Sequence, residues 1–355
     1  MQHWIRTLDI KLGWIHDFDK FVIKYVNIDY FTFDSDQLLC SGSNDKTVRV
    51  WDVEANKQIQ LFNGHSCTVY CVKFSLYHYY NYHCNVICSS SFDKTIRFWD
   101  FKNNQQLQLF NGHTGSVCGI EFSSFKGGRY LCSGSYDKTI RLWDVKTSRP
   151  LCVFNGHEDI IWCVDISPLQ SNNNETIGLI GGSGYTICSG SDDKTIRIWD
   201  IEKTKQFIAF KGHEAYVRSV KYGSNELGIN GSANTILSGS RDKSVRLWDI
   251  RSGQQIQVFK RHTNYVYAVE YSPFVVNNVE ISGISNVICS GSWDNTIRFW
   301  DIRSNKRELY VINGNGERDC GIMCLKFLQL KRKAKSYSDC GINLCYGSNK
   351  GSINI

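Results

Sequence analysis

One twelve-residue string recurs along the chain in six near-copies, and it constrains the fold more than any other feature. The copies are SGSNDKTVRVWD (41–52), SSSFDKTIRFWD (89–100), SGSYDKTIRLWD (133–144), SGSDDKTIRIWD (189–200), SGSRDKSVRLWD (238–249) and SGSWDNTIRFWD (290–301). A weaker seventh, YGSNKGSINI, occupies 346–355. Five copies are followed by Gly-His or its remnant: Gly64-His65, Gly112-His113, Gly156-His157, Gly212-His213 and Arg261-His262. From each repeat Asp to its Trp is 6 residues, and from that Trp to the next His is 14. From His to the next Asp the distance varies from 24 to 36. Fixed spacings mark packed structure. The variable stretch follows segments such as Val72-Lys73-Phe74-Ser75 and marks surface loops. Units of this size bury their apolar faces only by stacking on neighbours.

Each repeat reads as four short strands. Thr95 to Trp99 alternates, with a tight turn before it and a second run, Gln105 to Phe110, after it. Val69 to Phe74 and Val86 to Ser90 complete the set, giving strands a, b, c and d. Composition agrees. The 355 residues include 29 Gly, only 3 Pro and 13% aromatics, which suits strands joined by glycine-containing turns.

These residues carry a resemblance: the chain resembles the WD40-repeat (Trp-Asp repeat) β-propeller family. The resemblance implies an all-β, seven-bladed WD40 β-propeller of four-stranded antiparallel blades. The last blade reads as incomplete. The expected layout is an N-terminal segment, 1–24, part helical, followed by the propeller over 25–355.

In that family the repeat Asp, the Gly-His histidine, a strand-b hydroxyl and the strand-c Trp form a hydrogen-bonded network within a blade. Here the sets are His65/Asp93/Trp99, His113/Asp137/Trp143, His157/Asp193/Trp199, His213/Asp242/Trp248 and His262/Asp294/Trp300. Ser89, Ser133, Ser189, Ser238 and Ser290 are the hydroxyls assigned to them. Ser, His and Asp together also suggest a hydrolase. A triad needs a unique exposed nucleophile and an oxyanion hole. A combination repeated five times with a Trp attached reads as structural, so no catalytic residue is assigned and no enzyme activity is expected.

The departures from the repeat point to a partner site. The residue before each repeat Asp varies: Asn44, Phe92, Tyr136, Asp192, Arg241, Trp293. So does the fifth residue after each His: Tyr70, Cys118, Trp162, Arg218, Tyr267. The resemblance implies peptide binding at these two positions, on the face carrying the d–a and b–c connections. Candidate partner-binding residues are therefore Phe92, Tyr136, Asp192, Arg241, Trp293, Tyr70, Trp162, Arg218 and Tyr267. Aromatic and Arg residues are the usual interface anchors. Packing between neighbouring blades is the plain alternative for each. The sharper reading is an aromatic clamp on a Lys or Arg side chain.

The fifteen cysteines are an odd number and show no CxxC spacing. Cys40, Cys88, Cys132, Cys188, Cys289 and Cys345 share one slot in strand b, and Cys71, Cys118, Cys163 and Cys324 fall in strand a. They read as small core residues, with no metal and no cofactor. No signal-peptide h-region opens the chain and no apolar run reaches a membrane span. The expectation is an intracellular protein, cytoplasmic or nuclear, with no membrane contact. The net charge of +7 is spread along the chain rather than gathered in a stripe, which argues against direct nucleic-acid contact. The run Lys331-Arg332-Lys333-Ala334-Lys335 reads as a solvated loop, with nuclear targeting or a phosphate contact as the alternative. The stretches 167–184, 272–286 and 328–341 are rich in Asn, Ser and Gly and read as flexible loops.

The two ends of the repeat array differ from its middle. The first repeat has Asp45 and Trp51 but no Gly-His upstream. The seventh has Lys350 in the Asp slot and stops at Ile355 without a Trp. Trp4, Leu8, Leu12 and Ile15 form one helical stripe, so 3–16 reads as a short helix without coiled-coil heptads. Phe21 to Val26 is too little chain both to close the ring and to open the first blade. The seam therefore reads as that of a fragment or an imperfect gene model.

The leading function is a non-enzymatic scaffold or adaptor that binds proteins or peptides on the propeller rim and channel mouth, as a subunit of a larger complex. The alternatives are a histone-tail or peptide reader in a chromatin complex, a substrate receptor of a ubiquitin ligase, an RNA-associated propeller and, last, an enzyme.

Overall fold

The computed structural model describes residues 26–33, 36–55, 57–167, 185–223, 235–272, 287–303, 308–316, 319–330, 341–351 and 353–354. The expected helix at 3–16, the basic run at 331–335 and most of the three long loops lie outside them. Leu328 to Leu330, expected in a loop, instead extend an innermost strand.

The strands fall into sheets in chain order. The first sheet is β1 to β4 (Val26–Phe33, Asp36–Ser43, Val48–Asp52, Lys57–Phe62). The second is β5 to β8 (Val69–Phe74, Val86–Ser91, Ile96–Asp100, Gln105–Phe110). The third is β9 to β12 (Val117–Phe122, Tyr130–Ser135, Thr139–Asp144, Arg149–Asn155). The fourth is β13 to β16 (Ile161–Ile166, Thr186–Ser191, Thr195–Asp200, Lys205–Lys211). The fifth is β17 to β20 (Val217–Tyr222, Thr235–Ser240, Ser244–Asp249, Gln254–Lys260). The sixth is β21 to β24 (Val266–Tyr271, Val287–Ser292, Thr296–Asp301, Tyr310–Asn313). The remaining strands, β25 to β27 (Ile322–Leu330, Gly341–Ser348, Ile353–Asn354), form a three-stranded sheet.

The fold is thus an all-β propeller with six four-stranded antiparallel blades, not the seven the repeat count led us to expect. The seventh string lacks the Asp and Trp that carry a b–c–d hairpin, and only two residues of its third strand pair with β26. The innermost strands pack side by side in the order β1, β5, β9, β13, β17, β21, β25, and β25 returns to β1. Among the described residues no N-terminal strand joins the β25–β27 sheet.

Each apolar core lies between blades rather than within one. Leu38, Cys40, Val48, Val50 and Phe62 of the first blade pack with Val69, Val72, Phe74, Ile87 and Trp99 of the second. Strand d shows why stacking is needed. Along β4 only the last residue, Phe62, is buried, and its ring stacks on Trp99 at 5.5 Å. Burying a side chain of that size stabilises by about 2–3 kcal/mol.

The repeat tryptophans make a second contact besides the hydrogen-bonded network of their own blade. Trp99, Trp143, Trp199, Trp248 and Trp300 are core residues, buried at 1–3% exposure. Each ring packs on the last aromatic of strand d in the preceding blade. Trp143 meets Phe110, Trp248 meets Phe210 and Trp300 meets Phe259, each with ring centres 5.3 Å apart. The indole is large enough to bond within its own sheet through the N–H while its ring face crosses to the neighbour. These tryptophans therefore hold blade to blade and offer nothing to a partner at the surface.

The strand-b cysteines, such as Cys88 and Cys132, are fully buried in mid-strand, and all described cysteines are free thiols. The b–c turns are built locally. In the fourth blade Asp193 Oδ1 accepts from the Thr195 backbone N–H at 2.9 Å and from its hydroxyl at 2.6 Å. Lys194 between them sits at φ 66, a left-handed conformation that side chains rarely adopt. The second blade departs from the repeat in its a–b connection, where Leu76–Tyr82 forms a helix, α1. Nothing in the sequence reading anticipated it.

Candidate functional site: the channel mouth

Strand a of the second to sixth blades and of the β25–β27 sheet carries a β-bulge at its start. Val69 pairs with Ser91 and Cys71 with Ser90, so Tyr70 has no partner across the ladder. The same shift skips Cys118, Trp162, Arg218, Tyr267 and Met323. A bulge leaves its extra residue unpaired and re-aims its side chain. Here all six side chains border one cavity of about 370 Å³ at the channel mouth.

The b–c turns supply the second set. The backbone N–H of Phe92 donates to Thr68, that of Tyr136 to Ser116, Asp192 to Ile160, Arg241 to Tyr216 and Trp293 to Tyr265, each at 2.8–2.9 Å. These bonds tie the b–c turn of each of the second to sixth blades to the start of its own strand a, so the two variable positions meet.

All nine sequence-derived candidates form one continuous set across five blades. Phe92 contacts Tyr136 edge-on at 5.7 Å and Tyr70 at 6.2 Å. The hydroxyls of Tyr70 and Tyr136 lie 3.4 Å apart. Trp162 meets Tyr136 at 5.3 Å and Tyr70 at 6.1 Å, both T-shaped. The indole N–H of Trp162 donates to Asp192, which is buried. Arg218 lies over the Trp162 ring at 3.4 Å and near that of Tyr267 at 5.6 Å. Arg241 lies 5.2 Å from the Tyr265 ring, and its Nη2 donates to the Tyr267 hydroxyl at 3.4 Å. Trp293 closes the set against Tyr267 at 5.5 Å. Most of these side chains are half-buried. Phe92, at 43% exposure, is the open end.

The electrostatics of the mouth are set by its two arginines. Burial lowers the Arg218 pKa, and the like charge of Arg241 adds to the effect. Among the described residues the Nε atoms of Arg218 and Arg241 have no hydrogen-bond partner. Asp192 is the nearby carboxylate. Burial raises its pKa, against the bond from Trp162. The aromatic clamp expected for a partner's cation is already filled by the chain's own Arg218.

The blade networks stand behind this face. In all five sets the His Nδ1 lies 2.7–2.8 Å from the Asp Oδ2, and the His Nε2 lies 2.7–2.8 Å from the Ser Oγ. The Nε1 of Trp99, Trp143, Trp199, Trp248 and Trp300 donates to Ser89, Ser133, Ser189, Ser238 and Ser290 in turn, at 2.7–2.9 Å. Donor counting fixes the protons. The indole can only donate, so the Ser oxygen accepts from it and gives its own hydrogen to Nε2. Nδ1–H is then left for the carboxylate. Burial pushes the Asp carboxyls up, but hydrogen bonds from His and Thr or Ser outweigh it and hold them well below the usual range. Burial holds His65, His113, His157 and His213 below their ordinary value. The five serines are 0% exposed, out of reach of any substrate.

Among the described residues the first blade has no such His; its repeat Arg, Arg49, lies 2.6 Å from Asp45, and Trp51 still donates to Ser41 at 2.9 Å. In the β25–β27 sheet Tyr346 stands in the Ser slot, and its hydroxyl donates to the buried Asp319 at 3.3 Å. Sequence reasoning missed this pair because the Asp comes from the d–a side rather than the b–c turn. It also missed Met323, which has no upstream His to count from.

No helix among the described residues is long and apolar enough to cross a membrane. The chain aligns with Cell division control protein 4 of Saccharomyces cerevisiae (strain ATCC 204508 / S288c) at 34% identity, over 38% of this chain and 18% of that protein. The aligned part is thus under a fifth of that relative's length. The family model described as WD domain, G-beta repeat matches residues 26–52, 56–100, 104–144, 148–200, 204–249 and 253–301. The six matches cover most of the chain, and each ends with strand c of one of the six four-stranded blades, so the chain belongs to the WD40 family.

Proposed function

We propose that this protein is a non-enzymatic interaction scaffold that holds an acidic peptide segment of a partner protein at the channel mouth. One observation carries the reading. Arg218 and Arg241 stand side by side over a cavity of about 370 Å³, braced by aromatic faces. A guanidinium held flat on a ring keeps its in-plane donors free for an oxyanion. The surrounding Tyr70, Tyr136 and Trp162 offer apolar area with polar edges, the usual make-up of interface anchors. The same geometry disfavours a reader of Lys or Arg side chains, since the best cation-binding face is occupied.

In this reading the chain divides into an N-terminal segment, 1–24, and the propeller over 25–355. The protein acts inside the cell as a subunit of a larger assembly. Proximity labelling in the native cell, comparing wild type with Arg218→Ala/Arg241→Ala, tests the reading. A set of neighbours lost in the variant supports it, and identical neighbours refute it.

A further inference from the structure

Below the mouth, each innermost strand presents one charged residue at the same register position. Around the ring these are Asp29, Lys73, Glu121, Asp165, Lys221, Glu270 and Lys326, on β1, β5, β9, β13, β17, β21 and β25. A ring of seven cannot alternate in sign throughout. One like-charged pair must be neighbours, and here it is Glu121 and Asp165. All of the seven except Asp165 border a channel cavity of about 150 Å³, three carboxylates against three ammoniums. Lys73 pairs with Glu121 at 2.7 Å, Lys221 with Glu121 at 3.6 Å, and Lys326 with Asp29 at 3.2 Å across the seam between β25 and β1.

Asp165 is the charge left over. It does not border the cavity, and none of the three lysines pairs with it among the described residues. Its Oδ2 instead accepts from the Tyr222 backbone N–H on β17 at 2.8 Å, and its Oδ1 from Ile166 at 3.1 Å. It is buried, at 9% exposure.

We propose that Asp165 is the proton-exchanging member of this ring, and that its charge state sets the strength of the β13–β17 junction. The groups around it are few. Glu121 faces it from β9, Lys221 and the Tyr222 phenol from β17, Cys132 from β10, Cys188 from β14, Cys163 from its own strand, Lys73 from β5 and Tyr271 from β21. Burial raises its pKa to about 6 from 3.8, Lys221 opposes, and Glu121 adds to the rise. The thiols and phenols are themselves pushed up by burial and stay neutral. A carboxyl that is easier to protonate in the folded state destabilises that state when charged. The junction therefore tightens as pH falls through about 6 and loosens above it. This holds whatever the mouth binds.

Asp165→Asn keeps the shape and the acceptor for Tyr222 while removing the charge. The melting temperature of the variant should exceed that of wild type by a few degrees at pH 7.5, and the gap should narrow as pH falls to 5. Equal melting at pH 7.5, or a lower value for the variant there, overturns the proposal. The wild-type protein gives a second test that needs no variant: the Asp165 side-chain carboxyl carbon, followed by NMR, should titrate with a midpoint near 6. A midpoint at the ordinary value near 4 overturns it.

Discussion

The guanidinium of Arg218 lies 3.4 Å from the ring centre of Trp162, so the side chains of two neighbouring blades act as one unit. Trp162 is fixed in turn by its bond to Asp192. Trp162→Ala removes the stack and leaves Asp192 unpaired while buried. The expected loss of stability is about 2–3 kcal/mol. Denaturant unfolding of the purified variant checks it, and an unchanged midpoint would show that the mouth is not braced in this way.

The blade network gives a larger effect. His157 bridges Asp193 and Ser189 at 2.7 Å each. His157→Ala leaves a carboxylate and a hydroxyl without their partner and opens a cavity beside Trp199. The expected cost is about 3 kcal/mol, read as a fall in melting temperature. A variant that melts with wild type would remove the structural role assigned to the network.

The pH dependence follows from the same groups. His65, His113, His157 and His213 are held below their ordinary value of 6.5 by burial. The unfolded chain takes up protons on these histidines as pH falls through 6.5, and the folded chain does not. Their contribution is complete above that value and is lost below it. Asp165 works in the opposite sense, but it is one group against four. Urea unfolding should therefore show less stability at pH 5.5 than at pH 7.5, and equal or greater stability at pH 5.5 would contradict the assignment.

The b–c turns hold a small reserve of strain. Lys194 sits at φ 66 because the Asp193 carboxylate closes the turn around it. Glycine adopts that conformation without steric cost. Lys194→Gly should stabilise by up to about 1 kcal/mol, less the entropy that glycine adds to the unfolded chain. A melting temperature lowered by several degrees would show that the lysine side chain contributes more than its backbone strain takes away.

Much of this was legible in the sequence. The Asp-to-Trp and Trp-to-His spacings are constant, and with the family resemblance each His/Asp/Trp set could be written down before its distances were known. What the spacing could not show is that Trp143, Trp248 and Trp300 also seal the joint with the blade before, because the ring's second contact depends on how the sheets stack. The two variable positions also stood out, because everything around them repeats. The reason they point to one mouth was not legible. The β-bulge that re-aims Tyr70, Trp162 and Arg218 comes from strand pairing, and no residue type marks it. The charged ring was visible but unread: the residue before the last aromatic or aliphatic position of strand a is charged in Lys73, Glu121, Asp165, Lys221, Glu270 and Lys326. Its meaning appears only when the strands are set side by side and the signs fail to alternate. The β25–β27 sheet resisted because Tyr346 and Asp319 do the work of the Ser and His by a different route. The α1 helix was hidden because its tyrosines, Tyr77 to Tyr82, carry no helical apolar stripe.

The central claim is that Arg218 and Arg241 select an acidic segment, and a peptide library screened on the purified protein tests it most directly. Wild type should enrich peptides with a carboxylate or phosphate beside an apolar residue, and Arg218→Gln/Arg241→Gln, shown to fold by its melting curve, should lose that enrichment. Selection of Lys- or Arg-bearing peptides, or the same acidic peptides retained by the folded double variant, would contradict it.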